Sequence, residues 1–257
     1  MKHKIKAMAL AAGLLGGAMG TAQALPVIYN NDIPAGIAAF DSAVNTAGGT
    51  VMTDTLSGLS NGTSWTRSGY TITSTDGTNR SVSSYDLGYT GGNTGQEISI
   101  YPAVPASGSG LTFTFASPIN AFALEVGDWA TCCGAVTHDG SNSSYDNTGA
   151  PVGSNLYISF DGGATRLVAN ATTSSDNPGY VTYGIYDNLV AAVDDTGTFS
   201  TITFYGDGFG EVLYAGGTIR YATVSEGSFS GVPEPATLAL LGIGLTGLGF
   251  ARRKMAA

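Results

Sequence analysis

Between residues 25 and 231 this 257-residue chain has no lysine. Lys2, Lys4, Lys6 and Lys254 all lie in the two ends, and only Arg67, Arg80, Arg166 and Arg220 are basic between them. Those four face eighteen acids, a net charge of −14 for the 207-residue middle segment. So acidic a surface repels phosphate backbones and argues against nucleic acid as a partner. It suits neutral polysaccharide, divalent cations, or plain solubility outside a cell. Histidine and cysteine are nearly missing as well. Past residue 24 only His138 remains, beside the single pair Cys132 and Cys133. Three such ligands do not complete a four-coordinate zinc site.

The two cysteines are adjacent, so their α-carbons stand about 3.8 Å apart across a trans peptide. Disulfides usually span about 4.4–6.8 Å, so a Cys132–Cys133 bridge would be strained and easily reduced. Two free thiols, intermolecular pairing or a plain loop are the other readings.

Long apolar runs are lacking too, and the two short ones sit at the ends. Lys2, Lys4 and Lys6 precede an apolar stretch from Ala7 to Met19 and the small-residue site Ala22-Gln23-Ala24. This is the order of a secretory signal peptide over 1–24, with Ala22 and Ala24 marking the cleavage site and Leu25 beginning the mature chain. The expected partners are the Sec translocon and signal peptidase. At the other end, Ala236–Ala251 is uncharged but only sixteen residues long, with Gly242, Gly244, Gly247 and Gly249 inside it. A stable spanning helix takes about 20 apolar residues. Glycine also makes a poor helix interior. The run therefore reads as a hydrophobic helix that anchors for a time and is then cut away, or else as an ordinary C-terminal tether.

Val232-Pro233-Glu234-Pro235 precedes that run, and Arg252-Arg253-Lys254 follows it. The prolines hold the chain extended, where a processing enzyme can grip it. The three cations sit where a stop-transfer, cytoplasmic end needs them. Grip, short greasy run and basic end together resemble the C-terminal sorting signal of PEP-CTERM proteins. The resemblance covers residues 232–257, about a tenth of the chain. It implies recognition at Pro233, Glu234 and Pro235 by exosortase, a membrane-embedded cysteine transpeptidase of exopolysaccharide-producing Gram-negative bacteria.

The middle segment, 25–231, is rich in Gly, Ser, Thr, Asn and Tyr, with neither a dividing linker nor a fixed-period repeat. Leu111–Phe115, Leu156–Phe160 and Thr201–Phe204 alternate apolar and polar, as strands half-buried on one face do. Tyr70–Ser74, Glu97–Tyr101, Ala121–Val126, Tyr180–Tyr183 and Thr218–Val224 are further strand candidates. Asp161-Gly162-Gly163 reads as a hairpin turn into Ala164–Val168. Only Ile33–Val44 has a helical pattern, with Ile37, Phe40, Ala43 and Val44 on one side. The pattern predicts an all-β ectodomain, an antiparallel β-sandwich or jelly roll. The spacing of Tyr183–Ile185, Phe199–Tyr205 and Glu211–Val224 resembles the lectin-like jelly rolls of PEP-CTERM ectodomains.

Candidate chemistry is thin. Gly58-Leu59-Ser60-Asn61-Gly62 matches a serine-nucleophile pattern but sits in a polar stretch with nothing helical after it. His138-Asp139 reads as a surface loop. A glycosidase needs two opposed carboxylates, and Glu125, Asp128 and Glu211 stand out no more than other acids. The loop 139–147 is dense in hard oxygen ligands, which makes Asp139, Asn142 and Asp146 calcium candidates, although it lacks the EF-hand order. Asp194-Asp195 and Asp207 lie in similar loops. Trp65, Tyr70, Tyr89, Tyr101, Trp129 and Tyr145 are either sugar-stacking platforms or core residues. The reading that emerges is a secreted, non-enzymatic surface or matrix protein, held transiently in the inner membrane and associated with exopolysaccharide or biofilm. A surface-displayed carbohydrate-binding module and a secreted glycan hydrolase are the alternatives.

Overall fold

The computed structural model describes residues 26–101, 109–130, 153–206 and 212–228. The predicted signal peptide 1–24, Cys132, Cys133, His138, residues 139–147, Asp207, Glu211 and the tail from Val232 onward lie outside the described residues.

Two antiparallel sheets form a sandwich, as the alternation predicts. The smaller has six strands in the order β10 (Arg166–Ala171), β9 (Ser154–Phe160), β12 (Phe199–Gly206), β7 (Leu111–Ile119), β4 (Tyr70–Ser74), β3 (Ser64–Thr66). The larger runs β1 (Val27–Asn31), β11 (Asn188–Val193), β8 (Ala121–Gly127), β13 (Leu213–Ala222), β6 (Glu97–Ile100), β5 (Val82–Ser83), and β2 (Met52–Thr55) also pairs with β13. Between the sheets lies an apolar core that includes Ile72, Ile98, Leu111, Phe113, Phe122, Leu124, Val126, Ile202 and Phe204. Successive residues of a strand point to opposite faces, so one half of each alternating strand fills this core.

A second, smaller core covers the outer face of the larger sheet. Helix α1 (Ile33–Thr46) lies there, with Ile33, Gly36, Phe40 and Val44 buried at helical spacing. Asp32 starts it by accepting a hydrogen bond from Ala35 N at 2.9 Å. Arg220 of β13 clasps Asp41 of the helix through two hydrogen bonds, at 3.0 and 2.5 Å. Beneath it Ala121, Ala123, Leu189 and Ala191 are buried from above, while Leu124, Val126 and Val190 are buried from below. Residues 121–124 of β8 and 189–193 of β11 are therefore apolar on both faces.

One predicted strand is a helix. Tyr180–Tyr183 falls in α2 (Pro178–Tyr183), because local caps override the β preference of Tyr-Val-Thr-Tyr. Asn177 Oδ1 accepts from Gly179 N and Tyr180 N, Pro178 has its ring at the first turn, and Gly184 closes the end at φ 75°. The predicted hairpin forms: Asp161 and Gly162 both have positive φ, and Gly163 N donates to Phe160 O at 2.9 Å.

Candidate functional site

The outer face of the larger sheet has a polar half beside the half that α1 covers. Its floor is set by register. Gly216 of β13 pairs with Glu125 of β8 on one side and with Glu97 of β6 on the other. The neighbours of these acids, Leu124, Val126 and Ile98, point into the sandwich core. Both carboxyls therefore project outward. Gly217 follows at φ 64°, and a Cβ there would overlap Glu125 Oε2. The connection between β5 and β6 supplies Asn93 and Thr94, and Asp187 enters from the residue before β11.

Each acid is held differently. Glu125 accepts from Thr94 N at 2.7 Å and from Thr94 Oγ1 at 2.6 Å. Thr94 Oγ1 lies 2.5 Å from Thr218 Oγ1, which lies 2.9 Å from Thr55 Oγ1. With Thr94 donating to the carboxylate, the hydroxyl chain runs Thr55 to Thr218 to Thr94 to Glu125. Burial raises the pKa of Glu125, and the bonds from Thr94 pull it back. Asp187 Oδ2 accepts from Asn93 N at 3.0 Å, while Oδ1 has no partner. Burial, then the charge of Asp86, pushes Asp187 up to about 8. Glu97 has no partner on either oxygen, and burial followed by the charges of Asp187 and Glu125 holds it well above the usual range.

Asn93 is 1% exposed and neither atom of its amide is hydrogen-bonded. A Cβ built on Gly127 would lie 2.7 Å from Asn93 Nδ2 and 2.8 Å from Glu97 Oε1. The amide and the carboxyl thus converge over that glycine. Next to it Asp128 sits at φ 63° and hydrogen-bonds Tyr85, whose ring stacks on Tyr214 at 5.7 Å. Glu97, Glu125 and Asp187 have no solvent exposure at all, so this recess offers no opening to a polymeric chain. Among the described residues, no three His, Cys, Asp or Glu are grouped to hold a metal ion. The converging donors are carboxyls together with one amide.

The sequence-predicted aromatics divide. Trp65 and Trp129 are core residues, at 7% and 0% exposure, and Trp65 Nε1 donates to Ser60 O at 2.8 Å. Neither presents a face to a sugar. Tyr70 is buried against Phe115, whereas Tyr89 and Tyr101 are exposed. Gly58–Gly62 leads into strand β3 instead of a helix, so the strand–turn–helix that the serine pattern requires does not form there. Asp194 is used locally, accepting from Thr196 N and Oγ1 at 2.8 and 2.6 Å. Sequence reasoning passed over Glu97, Asp187 and Asn93 as a group. The available signal was a charge inside an otherwise apolar strand, Ala-Phe-Ala-Leu-Glu125-Val, because a charge in a doubly covered strand needs a partner.

Residues 231–254 match the family model of the PEP-CTERM protein-sorting motif. The chain carries that motif where its Val-Pro-Glu-Pro tail resembles one. No curated protein matches the sequence. Among solved structures, a mutant of CBM29-2, studied for ligand recognition by family 29 carbohydrate binding modules, is similar at 13% identity and a TM-score of 0.30. The match covers 72% of this chain and 99% of that one. So low a score adds nothing to what the strand pairing establishes.

Proposed function

We propose, from the sorting motif at residues 231–254, that this is a surface or matrix protein whose β-sandwich works outside the cell without catalysing a reaction. The motif implies export, a C-terminal anchor before processing, and exosortase as the processing enzyme. In this reading the ectodomain passes through the Sec translocon, loses 1–24 after Ala24, and pauses in the inner membrane on Ala236–Ala251. Arg252, Arg253 and Lys254 stay inside until the grip at Val232–Pro235 is cut. No helix among the described residues is long and apolar enough to cross a membrane. The ectodomain then joins an exopolysaccharide-associated surface or biofilm layer.

The observation that carries the reading is the position of the motif. The last described strand of the sandwich, β13, ends at Ala222, and the motif begins at residue 231. Cargo and address are therefore separated by a few residues. Changing Pro233, Glu234 and Pro235 together to alanine should leave uncut protein in the inner-membrane fraction, with surface protein reduced at least tenfold. Normal processing of that variant, followed by immunoblot of the fractions, would overturn the reading. A carbohydrate-binding role would fall to Tyr89 and Tyr101, the exposed members of the aromatic set among the described residues.

A further inference from the structure

We propose that Glu97, Asn93 and Asp187 form a buried divalent-cation site, fitted to calcium, on the outer face of the larger sheet. Three observations carry it. Both Glu97 oxygens and Asp187 Oδ1 are fully enclosed and unpartnered. The amide of Asn93, enclosed and unpartnered as well, meets Glu97 over Gly127. Gly127 and Gly217 leave the outer face of the sheet free of side chains, the first beside Asn93 and Glu97 and the second beside Glu125.

Enclosed polar groups are nearly always hydrogen-bonded, and a carboxylate without a partner is among the costliest things a fold can enclose. A divalent cation offsets that cost for several oxygens at once. Every donor here is oxygen, with no imidazole or thiolate among them, which is the chemistry of a hard cation. Calcium accepts irregular sets of six to eight oxygens, whereas magnesium keeps several waters in a strict octahedron. An enclosed recess with an irregular donor set favours calcium. Asn93 takes part through Oδ1, and a half-turn of the amide exchanges Oδ1 with Nδ2 without moving the chain. Glu125 stays with Thr94 and forms the outer wall. Its residues are other than the loop candidates Asp139, Asn142 and Asp146, and the proposal holds whether or not the tail is cut.

The test uses the full-length protein in mild detergent, stripped with a chelator at pH 8 and titrated with CaCl2. Equilibrium dialysis with radioactive calcium should show saturable binding, with a rise in Tm over the same range. Glu97→Gln and Asn93→Ala should each weaken binding at least tenfold. A loop variant with Asp139, Asn142 and Asp146 changed to alanine should bind as the parent does. Glu97→Gln keeps the side-chain shape and removes the charge, so its metal-free Tm should equal or exceed that of the parent, and Asn93→Ala decides the matter if it does not. The proposal falls if the parent shows no saturable binding, if both recess variants bind normally, or if only the loop variant loses calcium.

Discussion

Gly217 shows how much one absent side chain organises. Its positive φ and the Glu125 carboxylate directly above it leave no place for a methyl group. Gly217→Ala should cost at least about 1 kcal/mol of stability and push Glu125 off Thr94. Denaturant unfolding measures the first effect, and the second appears as a weaker dependence of stability on Thr94. At Asp41, removal of the carboxylate frees the buried side of Arg220, and Asp41→Ala should cost about 1 kcal/mol, the upper range for a half-exposed pair. Composition exposed little at this scale. The tryptophans read as platforms or as core, the commoner use in a sandwich, because their large apolar rings serve both. The recess was hidden because its members, Asn93, Glu97 and Asp187, are far apart along the chain and only strand register brings them together.

Among the elements, α2 separates what local sequence says from what propensity says. Tyr180-Val181-Thr182-Tyr183 has the composition of a strand, yet Asn177-Pro178 before it and Gly184 after it are the punctuation of a short helix. The punctuation decides the local structure over the propensity. Asn177 also donates through Nδ2 to Trp129 O at 2.7 Å while fully buried. Asn177→Ala should therefore lose both the cap and a buried bond, about 2 kcal/mol or more. A melt recording a fall of several degrees checks it. The strands with clean alternation, β4, β7, β9 and β12, were legible because each has one face in the core and one nearer water. β11 was not. Both its faces are covered, so Leu-Val-Ala-Ala-Val has no period to read.

For the whole molecule the two-sheet architecture was legible from alternation and turn chemistry, while the second core was only foreshadowed by the amphipathic Ile33–Val44. The net acidity was legible too, but not that part of it lies inside. That buried part sets the pH response. Glu97 and Asp187 have folded-state values above their unfolded ones, so their contribution is intact below the usual carboxyl range and is lost as pH rises, through about 8 for Asp187. Asp54 behaves oppositely. The bond from Arg67 holds it low, so its contribution is present above its unfolded value and disappears as pH falls. Metal-free protein should be most stable in mildly acidic buffer and lose Tm toward pH 8, with a shallower loss in Asp187→Asn. Thermal melts across pH check this, and an unchanged slope in that variant contradicts it. Strand order carries one more consequence. Among the described strands β13 is the last made, yet it sits inside the larger sheet and touches β8, β6 and β2. On the proposed route of export, half of the sandwich lacks its keystone until Ala222 has crossed the membrane, and the larger sheet closes only then. A membrane tether a dozen residues further on would then hold each newborn molecule in place while that keystone settles, and the cut that frees it would come to finished protein.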